Sequence, residues 1–210
     1  RCADRRRHGA HITMEKTTEH SAPDQTFDPI IEIKDLNISF GDNHVLRDFQ
    51  MTLAKGENVA VLGKSGSGKS VLIKCIIGLM KPDTGTIHVL AESIPDLNSD
   101  ELDKMRMKTR FLFQSNALYD SMTVRENLEF PLRRHGIEKT KEEVDLLVRE
   151  ALSNVGLPDT EHMMPSELSG GMKKRIALAR TLILNPLIIL YDEPTTGLDP
   201  ITGKEISNLM

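Results

Sequence analysis

The feature that most constrains this 210-residue chain is a short apolar segment that runs through a glycine-rich loop into an apolar helical pattern. The segment NVAVLG (58–63) predicts a strand, the loop reads GKSGSGKS (63–70), and VLIKCIIG (71–78) predicts a helix. Glycine lets successive backbone N–H groups turn inward around an anion, and the N-terminus of the helix adds its partial positive charge. The pattern therefore predicts a loop that binds phosphate.

The loop has the spacing G-x-x-x-x-G-K-[ST], which assigns roles to its last two residues. Lys69 is expected to reach the terminal phosphates of a nucleotide, and Ser70 to place its hydroxyl on Mg²⁺. The other residues expected to surround the phosphates are Gly63, Lys64, Ser65, Gly66, Ser67 and Gly68. A glycine- and serine-rich turn could match this spacing by chance, but the flanking strand and helix patterns favour phosphate binding.

Two carboxylates follow a second buried strand pattern, in LIILYDEP (187–194). Ligands of open α/β sheets bind at the carboxyl ends of the strands. Asp192 is therefore expected to hold Mg²⁺, directly or through water, and Glu193 to polarise the water that attacks the γ-phosphate. The alternative, two solvated acids at a strand end, is the weaker one in a chain that also carries the phosphate-binding loop.

Strand patterns dominate the first part of the chain, and helical patterns dominate its middle. Apolar residues alternate over 31–40, with one slip in the period, and again over 49–53, while TGTIHVL (84–90) predicts another strand. Residues from about 116 to 165 carry helical patterns, one of which ends near Gly156, and a further helix is predicted over 170–184. The layout predicts a strand-rich lobe, an α/β core and a helical insertion.

Composition and charge narrow the class of protein. Hydrophobic residues make up 39% of the chain and charged residues 28%, which is typical of a soluble globular domain. A formal net charge of −4 argues against broad binding to nucleic acid or anionic lipid, and two cysteines argue against a disulfide framework. No apolar run approaches the length of a membrane span, so a membrane role is expected to come through a partner.

The first 28 residues are expected to lie outside the folded domain. The segment RCADRRRHGAHIT (1–13) lacks an initiating Met and the apolar region of a signal peptide, so Met14 is the expected start. Residues 14–28 are polar and are predicted to be flexible. The domain is therefore predicted to span 29–210.

A third motif, LSGGM (168–172), completes a set that resembles the ATP-binding subunits of ABC transporters. In that family this signature segment faces an ATP molecule held by the phosphate-binding loop of a second subunit. The resemblance implies that Ser169 donates to the γ-phosphate, and that Gly170 and Gly171 permit close backbone approach. A flexible loop before an amphipathic helix is the alternative, and it leaves the glycine pair unexplained.

The resemblance covers residues 30–210 and implies a fold, ligands and further site residues. The implied fold is α/β, a P-loop NTPase core with a parallel sheet, an N-terminal antiparallel β-subdomain and an inserted α-helical subdomain at approximately 117–165. The implied ligands are ATP and Mg²⁺. Gln114 resembles the glutamine that senses Mg²⁺ or water and couples to the membrane partner, and Asp199 resembles an aspartate of the dimer interface.

Phe40 and the segment 173–175 each have two possible interpretations. Phe40 matches the aromatic residue that stacks on adenine, and a buried strand residue is the other interpretation. The three cations of KKR (173–175) favour a solvated helix face, although in this family that helix lies near the nucleotide.

Met172 stands where the family usually has glutamine, and methionine keeps a similar length but lacks the amide donor and acceptor. This methionine, with MMPSELSGGM (163–172) and LFQSNALYDSMTVRENLEFPLR (112–133), resembles the ATPases of Mla-type phospholipid transport systems. The resemblance implies a complex of two copies of this chain, two integral membrane permease subunits and an MCE-domain lipid-binding protein, without nucleic acid. Its implied location is the cytoplasmic face of the inner membrane, peripheral through the permease.

One departure from the family concerns histidine. The family carries a histidine on a strand beyond Asp199 that contacts the γ-phosphate, whereas all seven histidines of this chain lie at or before His162. The chain is therefore expected to be a C-terminally truncated copy that binds ATP poorly or hydrolyses it slowly.

Three alternative functions stay open at the level of sequence. The first is an ABC ATPase for another substrate, because the ATPase subunit does not touch the cargo. The second is a soluble ABC protein that acts on DNA or ribosomes, which no second phosphate-binding loop, long coiled coil or basic excess supports. The third is a non-hydrolytic nucleotide-binding scaffold, against which the presence of both Asp192 and Glu193 argues. The sequence predicts neither the substrate nor the direction of transport.

Overall fold

The computed structural model describes residues 29–112, 118–192 and 204, together with the backbone of strand 13–17. The chain divides into two compact units, residues 1–104 and 105–210. The first unit contains most of the strands and the glycine-rich loop, and the second contains most of the helices. This is the α/β composition that the sequence predicts.

The first unit is built on an antiparallel sheet with the strand order β3-β2-β5-β6. Its strands are β2 (Ile31–Phe40), β3 (Asn43–Leu53), β5 (Thr84–Val89) and β6 (Glu92–Ser93). The slip in the apolar alternation of β2 is a β-bulge, because the register with β3 shifts between Ile33 and Leu36 and Asp35 has a φ of 49°. Gly85 lies against this bulge, where a Cβ would stand 2.5 Å from the carbonyl oxygen of Asp35.

The apolar face of this sheet forms a core with the helix that follows the glycine-rich loop. Helix α1 (Lys69–Ile76) buries Leu72, Cys75 and Ile76. The buried side chains of the strands are those of Ile31, Ile33, Leu36, Ile38, Leu46, Met51, Ile87 and Val89. Burial raises the pKa of the Cys75 thiol to about 11, so this cysteine is a protonated core residue at neutral pH.

The N-terminal segment differs from the prediction that the first 28 residues lie outside the fold. Residues Thr13–Thr17 form strand β1, which pairs antiparallel with β4 (Asn58–Leu62), with Thr13 opposite Leu62 and Thr17 opposite Asn58. The polar composition that suggested flexibility does not prevent backbone pairing, since a ladder uses N–H and C=O groups that every residue here supplies. The expected start at Met14 falls inside this strand.

The part of the second unit that the structure describes, up to residue 192, contains a parallel strand pair and three α-helices that lie wholly within it. Strands β7 (Thr109–Leu112) and β8 (Ile188–Tyr191) are parallel, with Thr109 opposite Ile188 and Leu112 opposite Tyr191. Helix α2 (Ser99–Lys108) leads into β7 from the first unit and was not predicted from the sequence. The helices are α3 (Val124–Arg134), α4 (Lys141–Asn154) and α5 (Gly170–Leu182), which contain or overlap the predicted helical segments.

The three helices share one apolar core. Its buried residues include Val124, Leu128, Val148, Leu152 and Ile176. Both α3 and α4 begin with a capping box, in which a threonine hydroxyl accepts from a glutamate N–H and the glutamate carboxylate accepts from the threonine N–H. Among the described residues, no helix combines the length and the apolar character that crossing a bilayer would require.

A charged link connects α3 to α4, and its effect on stability should depend on pH. The Arg125 guanidinium donates to the Asp145 carboxylate and forms an ion pair with Glu129 at 2.6 Å. The hydrogen bond from Arg125 is the main cause that lowers the pKa of Asp145. A carboxylate with a lowered pKa stabilises the folded state at pH values above its unfolded pKa of about 3.9, and this contribution is lost as the pH falls below that value.

We therefore expect Asp145→Asn to lower the free energy of unfolding at pH 7 and to have a smaller effect near pH 3. Urea unfolding of the wild type and the variant at both values would measure this. Glu150→Gln, which changes an exposed carboxylate on the same helix, is the matched control and should have little effect at either pH. An equal loss from Asp145→Asn at both pH values would contradict the assigned role of the ion pair.

Candidate nucleotide-binding site

The glycine-rich loop lies between β4 and α1, as the sequence predicts. Gly66 and Gly68 have φ values of 78° and 101°, which L-residues with a side chain rarely adopt. Gly68 also lies against β3, where a Cβ would stand 2.7 Å from Cγ1 of Val45 and 3.1 Å from Cδ2 of Leu46. Both the backbone conformation and the packing therefore require glycine at this position.

Lys69, the first residue of α1, folds its side chain across the loop. Its Nζ donates to the carbonyl oxygens of Gly63 at 2.8 Å and Lys64 at 3.2 Å. An ammonium group has three hydrogens, so this geometry holds a cation at the mouth of the loop. The first N–H groups of α1 have no carbonyl four residues earlier in the helix, which makes the same end of α1 suited to an anion.

Ser67 supports this interpretation of the loop. Its residue is 2% exposed, and its hydroxyl is buried without a hydrogen-bond partner. A buried hydroxyl without a partner is unfavourable, and a phosphate oxygen would supply an acceptor for it. The chemistry of the loop, with its glycines, the Lys69 ammonium group and the hydroxyl groups of Ser67 and Ser70, thus fits a nucleotide phosphate with Mg²⁺.

Phe40 is exposed, so the alternative of a buried strand residue is wrong. It ends β2 opposite Asn43, in the tight turn through Gly41, and 52% of its surface is accessible. Two residues after Asn43 in the same strand, Val45 contacts the Gly68 position of the loop. The β2–β3 hairpin therefore carries an exposed aromatic ring and packs against Gly68 of the loop, and the stacking of Phe40 on adenine stays a prediction.

One predicted residue of the second unit, Asp192, lies at the carboxyl end of a parallel strand. Asp192 is the first residue after β8, half-buried, and its N–H donates to the carbonyl oxygen of Leu112 at 3.3 Å. Leu112 is the last residue of β7, and Gln114 follows two positions later in the sequence. Gln114, Glu193 and Asp199 lie outside the described residues, so their assignments stay predictions.

The signature segment begins α5. Ser169 is the N-cap of this helix, and its hydroxyl oxygen accepts from the N–H of Met172 at 3.2 Å. The cap uses only the oxygen, so the hydroxyl hydrogen can be donated elsewhere. Ser169 and Gly170 are exposed, and a Cβ on Gly170 would meet nothing within 4 Å. Neither packing nor a positive φ among the described residues requires glycine at position 170.

Two features of α5 could not be read from its sequence. The methionine in the position of the usual glutamine is half-buried and packs against the core of the three helices. The prediction of a solvated face for the three cations is wrong for Lys174, which is 8% exposed, and burial lowers its pKa. The Arg175 guanidinium reaches back to the carbonyl oxygen of Val155 at 3.4 Å. These long side chains bury their stems against the helical core.

Comparison with known proteins supports these assignments at the level of the family. Residues 46–196 match the model of the ABC transporter family. The chain is 42% identical over 190 residues to the Arabidopsis thaliana protein TRIGALACTOSYLDIACYLGLYCEROL 3, chloroplastic, covering 87% of this chain and 54% of that protein. It is 43% identical over 180 residues to the probable ribonucleotide transport ATP-binding protein mkl of Mycobacterium tuberculosis, covering 86% and 50%.

A solved structure of an ATP-binding cassette also resembles this chain in fold. A dimeric ATP-binding cassette in a post-hydrolysis state, bound to ADP and Pi, superposes with a TM-score of 0.74 and 33% identity, covering 85% of this chain and 80% of that one. The chain spans about half the length of the curated relatives it matches. The matched family model covers well over half of the chain. The chain therefore belongs to the ABC transporter family.

Proposed function

We propose that this chain binds ATP with Mg²⁺ and hydrolyses it to ADP and phosphate as the ATPase subunit of a membrane transporter. The observation that carries the proposal is the loop 66–69, in which two glycines with positive φ, the buried and unpartnered Ser67 hydroxyl and the Lys69 ammonium follow one another. Groups of this kind bind a phosphate chain. Membership of the ABC transporter family supports the same activity.

The roles of the residues follow from their chemistry. Lys69 and the N–H groups of the loop would hold the β- and γ-phosphates, and Ser70 with Asp192 would hold Mg²⁺. Mg²⁺, when bound, offsets the negative charge of the phosphates. Glu193 would accept a proton from the attacking water, Gln114 would orient that water, and Phe40 would stack on the adenine.

We further propose that the site is completed by a second copy of the chain in head-to-tail orientation. Ser169 with Gly170 and Gly171 would contact the γ-phosphate of an ATP bound at the partner's phosphate-binding loop, and Asp199 would lie at the interface. The open space beside the Cα of Gly170 and the donor hydrogen of Ser169 support this arrangement. The dimeric form of the related cassette supports it as well. Closure on ATP and opening after hydrolysis would then drive permease subunits.

For the transported substrate we propose a phospholipid, in a complex of the Mla type at the cytoplasmic face of the inner membrane that includes an MCE-domain protein. Support comes from Met172 with the segments around it, and from the relative named for a galactolipid. The relative named for probable ribonucleotide transport keeps a nucleotide substrate as the second candidate.

The substrate proposal is tested with the intact protein, co-purified with its permease and reconstituted in vesicles. We expect the rate of ATP hydrolysis to be higher in phospholipid vesicles than in micelles of an inert detergent, and to be unaffected by added ribonucleosides. Lys69→Ala, assembled in the same way, controls for contaminating ATPases. Stimulation by ribonucleosides and not by phospholipids would contradict the proposal and favour the second candidate.

A further inference from the structure

A buried asparagine of α3, Asn127, forms several hydrogen bonds to the backbone of the turn that precedes the helix. Asn127 is fully buried on α3 between the core residues Val124 and Leu128. Its Nδ2 donates to the carbonyl oxygens of Tyr119 at 3.1 Å, Met122 at 3.1 Å and Thr123 at 3.0 Å. Its Oδ1 accepts from the N–H of Tyr119 at 2.8 Å. The side chain of Asn127 thus holds the turn 119–123 in place through hydrogen bonds to its backbone.

The same turn is joined to α5, the helix that begins at the signature serine. The Arg180 guanidinium lies 5.5 Å from the centroid of the Tyr119 ring, and its Nη1 is 3.4 Å from Oδ1 of Asn127. The Tyr119 ring also packs on Phe130 of α3, with centroids 4.8 Å apart. The Arg180 side chain is half-buried, and burial lowers its pKa. We call Asn127, Tyr119, Phe130 and Arg180 the Asn127 cluster.

The cluster connects two segments that carry predicted site residues. Ser169 caps the N-terminus of α5 and Arg180 lies in the last turn of that helix, while Tyr119 follows Gln114 by five positions in the sequence. Asn127 is the fully buried member of the cluster, whereas the Tyr119 side chain is exposed. A broken bond at Asn127 would leave a buried group without a partner, so these bonds hold the turn in one arrangement. The turn after the glutamine segment and the signature helix are therefore joined as one body.

We infer that Asn127 and Arg180 are positioning residues for ATP hydrolysis, which hold the turn 119–123 on α5 so that both move together when Ser169 meets the nucleotide. The inference rests on the proposed function. Neither residue is placed to touch ATP, so the effect of a substitution should fall on turnover and spare the binding of ATP at the loop. This separates a positioning role from a merely stabilising one.

The test uses the intact transporter with Asn127→Ala, Asn127→Asp and Arg180→Lys. Asn127→Asp keeps the acceptor for the Tyr119 N–H and loses the donors to three carbonyl groups, and Arg180→Lys keeps the charge and loses the planar guanidinium. Val148→Ala is the matched control, because Val148 is fully buried in the same core and is not part of the cluster. We expect kcat to fall on the order of tenfold in the three cluster variants, with the Kd for ATP changed by less than about twofold.

A second readout does not depend on activity. Hydrogen exchange should show that the Tyr119 amide loses protection in Asn127→Ala and keeps it in Val148→Ala at equal loss of thermal stability. The inference is overturned if kcat in the cluster variants falls no further than in Val148→Ala, or if the Tyr119 amide stays protected in Asn127→Ala. Should the wild type itself fail to hydrolyse ATP, the proposed function fails, and the exchange measurement still decides whether Asn127 holds the turn.

Discussion

Glu193→Gln in the intact protein is expected to bind ATP with near wild-type affinity and to turn it over at least about 100-fold more slowly. Glutamine keeps the size of the side chain but cannot accept the proton of the attacking water, and a positioned general base contributes roughly 10²- to 10⁴-fold to rate. In the sequence Glu193 follows Asp192, the first residue after β8, and ligands of open α/β sheets bind at the carboxyl ends of the strands. Steady-state ATPase assays measure the effect.

The same variant should accumulate as an ATP-bound dimer, because closure depends on ATP and opening depends on its hydrolysis. Light scattering with and without MgATP would detect the change in mass. Glu138→Gln, which alters an exposed glutamate remote from the motifs, is the control and should retain both activity and the ATP-dependent behaviour of the wild type. A Glu193→Gln protein that stays monomeric at saturating ATP would contradict the proposed dimer, and unchanged turnover would contradict the role of the carboxylate.

Lys69→Ala is expected to weaken ATP binding on the order of 10- to 100-fold, since a hydrogen bond to a charged group is worth about 1.5–3 kcal/mol. The Lys69 ammonium group donates to the carbonyl oxygens of Gly63 and Lys64 within the loop. The Lys69 side chain is not part of the apolar core. The substitution should therefore leave the fold intact, which circular dichroism and the melting temperature would confirm. Isothermal titration with MgATP gives the affinity.

Lys64→Ala is the matched control for this prediction. It removes an equal charge from the same loop, but its side chain is exposed and the carbonyl oxygen that Lys69 contacts remains. Exposed charges contribute little, so we expect an affinity within about threefold of the wild type. Equal losses from the two substitutions would show that the loop acts through its net charge, and would contradict the specific role of Lys69.

The parts of the fold that are predictable from the sequence are those set by local rules. The loop between β4 and α1 is predictable because a glycine-rich spacing stands between a short apolar strand pattern and an apolar helix pattern. Helix α5 is predictable because a capping serine comes just before a helical pattern of apolar residues. The bulge in β2 was visible as a slip in alternation. Strand β1 was missed because its pairing with β4 is between distant segments and leaves no local pattern in five mainly polar residues.

The site shows the same division. The residues of the loop and Ser169 follow from motif spacing, and their local geometry agrees with it. Other features of the site depend on which elements pack together, and the sequence near them does not indicate that packing. They are the contact of Val45 with Gly68, the burial of Lys174 and the Asn127 cluster. An asparagine within a helical pattern resembles any polar surface residue until the turn that it binds is known.

The most direct measurement is the structure of the Glu193→Gln protein with MgATP. The account predicts a two-fold dimer in which Ser169 Oγ lies within about 3.2 Å of a γ-phosphate oxygen of the ATP held by the partner's Lys69. A nucleotide-bound dimer in which Ser169 Oγ faces solvent, far from either nucleotide, would contradict it.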